Sequence, residues 1–229
     1  MIYLEPDSPL FFPDPRFAVD PGIVAVGGDL SRKRLLLAYR IGVFPWYSEN
    51  ELPLWWCPDP RAVLPRESLH VSRSLRRRIS RGGFELSWNR AFRRVVEECR
   101  LEREDGRWIH DEVLEAYCEL HEAGHGHSLE VWEDGELSAG IYGVQVGGLF
   151  AAESKFHRRR DASKIALVAC VHTVFAAGIM LFDVQMQTEH LARLGVEEWP
   201  RQRYLDQLED ATQREVSLAD PELRLDLNG

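Results

Sequence analysis

Apolar and polar positions follow different rhythms on either side of about residue 61. Before it, prolines and glycines interrupt the pattern and leave one clear helix. Ser31 serves as its N-cap, Leu35 to Tyr39 as its apolar face and Gly42 as its stop. Beyond it the pattern is regular. A helix is predicted near Ser72–Ser80, then Gly82-Gly83 and a short strand, FELSW. Phe92, Val95, Val96 and Cys99 fall at helical spacing within about Arg90–Arg100. Asp111 reads as the cap of the next helix, which carries Val113, Leu114, Tyr117 and Leu120 and stops at Gly124. Three strands in a meander follow: SLEVWE, a turn at Asp134-Gly135, LSAGIYGVQV, a turn at Gly147-Gly148, and LFAAESKF. A strongly apolar helix over about Ala162–Ala177 leads through Gly178 to the strand IMLFDVQ. A short helix at Glu189–Leu194, a strand at Val196–Trp199 and a helix near Arg201–Leu208 complete the order. The rhythm divides the chain into a small N-terminal domain, residues 1–60, and a larger α/β domain, residues 61–229.

The interrupted part holds the densest chemistry. Trp46, Tyr47, Trp55 and Trp56 fall within eleven residues, among Pro45, Pro53, Pro58 and Pro60. Prolines at that density break both periodicities and favour loops. Rigid aromatic faces on stiffened loops suit a flat ligand such as a nucleobase.

Composition narrows the setting. The chain of 229 residues is 45% hydrophobic and 28% charged, the make-up of a soluble globular protein. No apolar run is long enough to span a bilayer. The first residues, MIYLEPDSP, carry acids and prolines where a leader would carry basic and apolar stretches. Cys57, Cys99, Cys118 and Cys170 show no CxxC pairing, so free thiols in the cytoplasm are expected and no metal site is. His121, His125 and His127 straddle Gly124 and Gly126 and read as a helix end with its turn. The net charge of −9 opposes indiscriminate nucleic-acid binding, yet Arg61–Arg81 holds seven arginines against one acid. A local basic patch on an acidic chain fits a selective phosphate contact.

Meander, long helix, strand, helix, strand is the order of the GNAT acyltransferase core, in which central strands splay to admit an acyl donor. An acetyl-CoA enzyme of that kind places a glycine-rich loop after the meander, where backbone N–H groups hold pyrophosphate. Here the position reads FHRRRDASKIAL, with no glycine between Gly148 and Gly178. A donor other than coenzyme A is expected, and no cofactor.

Six segments, in order, resemble one family, the leucyl/phenylalanyl-tRNA–protein transferases: GGDLS (27–31), AYRIGVFPWYS (38–48), LWWCPDPRAVL (54–64), YGVQVGGLFAAESKF (142–156), ASKIAL (162–167) and LFDVQMQTEHLARLGV (181–196). The resemblance covers roughly Gly27 to Leu208. It implies a GNAT-like core preceded by a small N-terminal domain. The implied activity moves Leu, Phe and sometimes Met from aminoacyl-tRNA to proteins beginning with Arg or Lys, which creates an N-terminal degradation signal. Asp183 and Gln185, two apart on one strand and so facing one way, match the family's proposed catalytic pair. Glu153, Trp46 and Trp108 match residues at the aminoacyl-adenosine end. Ile141, Phe150, Leu167 and Phe182 are candidates for the amino-acid pocket. Arg73, Arg76, Arg77 and Arg78 would hold the acceptor stem. Trp55 and Trp56 are expected to hold the small domain against the larger. Lys155 stands where family members commonly have Met, at the rim of the pocket, and Cys57 where Ser is common. His190 follows Asp183 on the short helix as a possible supporting residue. A monomer is expected.

Overall fold

The computed structural model describes residues 2–5, 8–101 and 108–226. Its N-terminal part holds more regular structure than the proline-broken sequence predicts. Strands β1 (Ile2–Leu4) and β2 (Ile23–Gly27) run parallel, and helix α1 (Arg32–Arg40) follows, capped by the Ser31 hydroxyl on the Arg34 N–H. Strands β3 (Phe44–Pro45) and β4 (Leu54–Trp56) then close a four-stranded sheet in the order β1-β2-β4-β3. These strands are two to five residues long, too short for alternation to show. They also use a parallel pairing and prolines at their ends.

Strand β5 (Arg61–Val63) opens the second unit. Helix α2 (Arg73–Arg81), strand β6 (Glu85–Trp88), and helices α3 (Phe92–Leu101) and α4 (Asp111–Glu122) follow it. The cap of α4 is His110, and Asp111 is its first helical residue. An acid there still suits the positive end of the helix. The meander is β7 (Gly126–Glu133), β8 (Glu136–Val146) and β9 (Leu149–His157). Helix α5 (Ala162–Ala176), strand β10 (Leu181–Gln185), helix α6 (Glu189–Ala192), strand β11 (Glu197–Trp199) and helix α7 (Arg201–Thr212) complete the predicted order.

The large sheet runs β11-β5-β10-β9-β8-β7-β6, with β9 and β10 its only parallel pair among the described residues. Side chains alternate across it into two cores. Ile141, Phe150, Ala152 and Phe182 pack with α2 and α5 on one face, while Tyr142, Val144, Ala151 and Leu181 pack with α1, α3, α4 and α7 on the other. The small sheet contributes Val24, Ala25 and Trp55 to this second core. Helix α5 is apolar on nearly every side because it is enclosed, eleven of its residues being buried.

Candidate functional site

The parallel ladder of β9 and β10 ends at Ala151 and Asp183. Beyond that point a cleft of about 300 Å³ opens, walled by Ala152, Glu153, Ser154 and Lys155 on one side and Val184, Gln185 and Met186 on the other. The buried Phe44, Pro45 and Trp108 and the exposed Trp46 complete the lining, and Ile141, Leu167 and Leu191 add apolar surface. Two parallel strands that stop pairing while both continue must leave such a gap, with backbone and side chains of both accessible.

Glu153 lies at the floor and is linked in several directions. The Gln185 amide donates to Glu153 Oε1 at 2.8 Å, and the Tyr117 hydroxyl donates to Oε2 at 3.1 Å. Tyr117 in turn meets the Tyr39 hydroxyl at 2.6 Å. Burial and, secondarily, the Asp183 charge raise the Glu153 carboxyl; the tyrosine hydroxyls and Arg61 oppose them, leaving it at about 7. A carboxyl so poised exchanges a proton near neutral pH.

Gln185 is held in an uncommon conformation, with φ of 60°, where the β10–β5 ladder is irregular. Its N–H donates to Asp183 Oδ1 at 2.9 Å. Asp183 itself does not line the cleft. Its carboxylate is fully enclosed, taking Arg61 Nε at 2.9 Å, Arg61 Nη2 at 2.6 Å and the Tyr204 hydroxyl at 2.9 Å. Arg61 also donates to Gly42 O and lies between the rings of Phe44 and Tyr204. The acid in the apolar run IMLFDV is thus a paired one. An unbroken chain of hydrogen bonds runs Tyr39–Tyr117–Glu153–Gln185–Asp183–Arg61. Sequence reasoning missed Tyr39, Tyr117, Arg61 and Tyr204, whose partners lie 78, 122 and 143 positions away along the chain.

The structure brings Trp46, Trp108, Glu153, Gln185, Ile141, Leu167 and Lys155 to one cleft. Phe150 and Phe182 stand apart from it. They stack on each other at 5.4 Å in the core beneath α5, at the part of the ladder that is still closed. Phe44, Ala152, Val184 and Leu191 take the apolar positions instead. Trp46 is 38% exposed, and Trp56 braces it, its ring edge-on at 5.8 Å and its Nε1 donating to Trp46 O. Trp55 is fully buried, edge-on to Phe12 and with Nε1 donating to Gly27 O. Both rings belong to or pack against the core that the small sheet shares with the larger unit.

On α2 the arginines divide. Arg73 and Arg77, four apart, are exposed. Arg78 is spent on Glu133 and Gly82 O, and Arg76 on Val71 O. The histidines are absorbed structurally. His121 stacks on Phe92 and bonds Gly126 O, His125 meets Gln145 O, and His127 lies between Asn89 and Gln145. Burial lowers His127 to about 4. Cys57 is buried, as are the other three thiols. No helix among the described residues is long and apolar enough to cross a membrane.

An α/β sheet that parts between two parallel strands, over a buried carboxyl–amide pair and beneath tryptophans, has the layout of an acyl-transferring enzyme, here an aminoacyltransferase. Residues 63–209 match the family model described as leucyl/phenylalanyl-tRNA protein transferase, and residues 28–59 match the model of that family's N-terminal domain. The chain belongs to this family. It is 51% identical over 211 residues to the leucyl/phenylalanyl-tRNA–protein transferase of Myxococcus xanthus (strain DK1622), covering 90% of each chain. It is 48% identical to that of Tolumonas auensis, covering 90% of this chain and 91% of the relative. Among solved structures, a GCN5-related N-acetyltransferase from Kribbella flavida aligns at a TM-score of 0.38 and 13% identity, over 76% of this chain and 63% of that one. The L-PGS structure from Bacillus licheniformis aligns at 0.40 and 12%, over 73% and 56%.

Proposed function

We propose that the chain moves leucine or phenylalanine, with methionine as a third donor, from aminoacyl-tRNA to the N-terminal α-amine of proteins beginning with Arg or Lys, marking them for degradation. The observation that carries this reading is the Glu153–Gln185 pair in a cleft lined by apolar side chains and by Trp46 and Trp108.

The donor ester is already activated, so no covalent enzyme intermediate is required. The acceptor nitrogen forms a C–N bond to the ester carbonyl, the C–O bond to ribose breaks, and the proton lost by the amine ends on the ribose hydroxyl. Orientation of the two substrates supplies most of the catalysis. Trp46 and Trp108 take the terminal adenosine by stacking. Ile141, Leu167, Val184 and Leu191 receive the apolar side chain, which selects against polar amino acids by leaving their groups unpaired. Glu153 meets an ammonium group or accepts its proton. Gln185, whose Nε2 is committed to Glu153, offers its amide oxygen to an amine N–H. Asp183 positions Gln185 from behind, through the backbone N–H, while Arg61 holds Asp183. Exposed Arg73 and Arg77 meet the acceptor stem.

Incubation of the folded protein with labelled Leu-tRNA and a peptide beginning with Arg is the direct test. A labelled peptide is expected, with none from a peptide beginning with Asp. Absence of label on the Arg peptide overturns the proposal.

A further inference from the structure

Two tryptophans reach the cleft from distant parts of the chain. Trp46 follows β3 in the small sheet, and Trp108 lies just before α4. The backbone of Trp46 is fixed to its own sheet: its N–H donates to Leu54 O at 2.9 Å, and its carbonyl accepts from Trp56 Nε1 at 2.7 Å. Those bonds do not set its spacing from Trp108. That spacing needs a contact between the two segments.

The next residue supplies one. Tyr47 is 5% exposed, and its ring lies edge-on to His110 with centroids 4.9 Å apart. Its hydroxyl donates to Glu112 Oε2 at 3.4 Å. His110 is the N-cap of α4 and Glu112 stands in its first turn, so Tyr47 holds the end of the helix that Trp108 leads into. Further along α4, the Tyr117 hydroxyl meets that of Tyr39 on α1. Attachment at two places fixes a helix in direction as well as position. Burial and then the Glu112 charge push the Tyr47 phenol above its ordinary value, so it stays a donor at neutral pH. The bond is longer than the roughly 2.7–2.8 Å of a relaxed hydroxyl pair, and Glu112 is exposed, so its contribution is modest.

We propose that Tyr47 and Glu112 form a clasp that sets the spacing of Trp46 and Trp108, and so positions the terminal adenosine of the donor. The inference rests on the function proposed above. Both are positioning residues: neither lines the cleft, and each acts through the tryptophan near it in the chain. Without the clasp the aligned arrangement is one of several, and apparent affinity for the donor falls with the fraction of molecules that keep it. Glu153 and Gln185 are untouched, so turnover of the bound donor is preserved.

The test uses the intact protein with two ligands, Leu-tRNA as donor and an amide-linked leucyl-adenosine without phosphate as competitive inhibitor. Tyr47→Phe removes the donor oxygen, Glu112→Ala removes the acceptor, and Glu112→Gln keeps an oxygen that accepts. Tyr47→Phe and Glu112→Ala are each expected to raise KM for Leu-tRNA and Ki of the inhibitor alike, by roughly threefold to tenfold, with kcat nearly unchanged. Glu112→Gln should stay near wild type, and the double variant should be no worse than either single one. Unchanged KM and Ki in both singles, whatever happens to the melting point, overturns the clasp and leaves the transferase reading intact. Glu112→Gln as harmful as Glu112→Ala overturns it by making charge the cause. A loss for tRNA with none for the inhibitor, or a loss in kcat alone, overturns it by placing the effect away from the adenosine. Should Tyr47→Phe fail to fold, the two Glu112 variants decide. Failure of wild type to use Leu-tRNA at all overturns the underlying reading, and the clasp with it.

Discussion

Arg61 and Asp183, 122 positions apart in the chain, form a bidentate ion pair from which water is excluded on all sides, each side chain being 1% exposed. Removing one member leaves the other charged and buried, at a cost of about 3–5 kcal/mol. Arg61→Ala and Asp183→Asn should each lower the stability measured by urea unfolding by that order. A loss below 1 kcal/mol for both would mean that the pair is not closed in solution.

Glu153 gives the protein a pH dependence of definite sign. Its carboxyl titrates at about 7 when folded, against 4.5 for the free group. Between those values the folded protein keeps a proton that the unfolded chain has released. The resulting stabilisation is complete below pH 4.5, shrinks as pH rises, and is gone above about 7. It is on the order of 3 kcal/mol. Unfolding midpoints measured from pH 5 to 8 should fall for wild type, and Glu153→Gln should remove most of that slope.

Trp46 is the substitution that separates donor binding from folding, because its ring is partly exposed. Trp46→Ala should weaken Leu-tRNA binding by about 1–3 kcal/mol, the worth of one base–aromatic stack. Trp46→Phe should recover much of it. Equilibrium binding and thermal melting of the same samples check both halves of the statement; a lowered melting point with unchanged affinity would count against the stack.

The α2 arginines should differ in kind. Arg73→Ala and Arg77→Ala, exposed, should each reduce the salt slope of tRNA binding by about 0.9 for a duplex phosphate contact, with melting unchanged. Arg78→Ala should lower the melting point instead, since it releases Glu133 and Gly82 O. Titrations between 50 and 200 mM salt, alongside thermal melts, read the two outcomes.

How much of this was legible in the sequence varies with the range of the interactions. Periodicity located the elements of the larger unit because each buries a face of its own, α3 through Phe92, Val95, Val96 and Cys99. It missed β5 and the small sheet, where strands of a few residues are fixed by pairing with distant partners. Glu153 and Gln185 were reached through the family resemblance, Gln185 also by lying two residues beyond Asp183 on one strand. Their partners were not, since nothing local in the sequence joins Tyr117 to Glu153 or Tyr204 to Asp183. The same limit misassigned Phe150 and Phe182. Strand order tells which side chains share a face, but only the end of the β9–β10 ladder tells where the face stops being covered.

The place of β5 between β10 and β11 also bears on how the molecule is made. Ribosomes deliver roughly 5–20 residues per second. Arg61 therefore emerges on the order of ten seconds before the strand it pairs with. For that interval a guanidinium destined for burial stays in water, and β5 has neither of its neighbours in the sheet, β10 and β11. The residues that close the gap, Asp183 to Trp199, are synthesised long after Arg61. The cleft is thus finished only after Val184, Gln185, Met186 and Leu191 have emerged, so a product that stopped short of β10 would lack one of its walls.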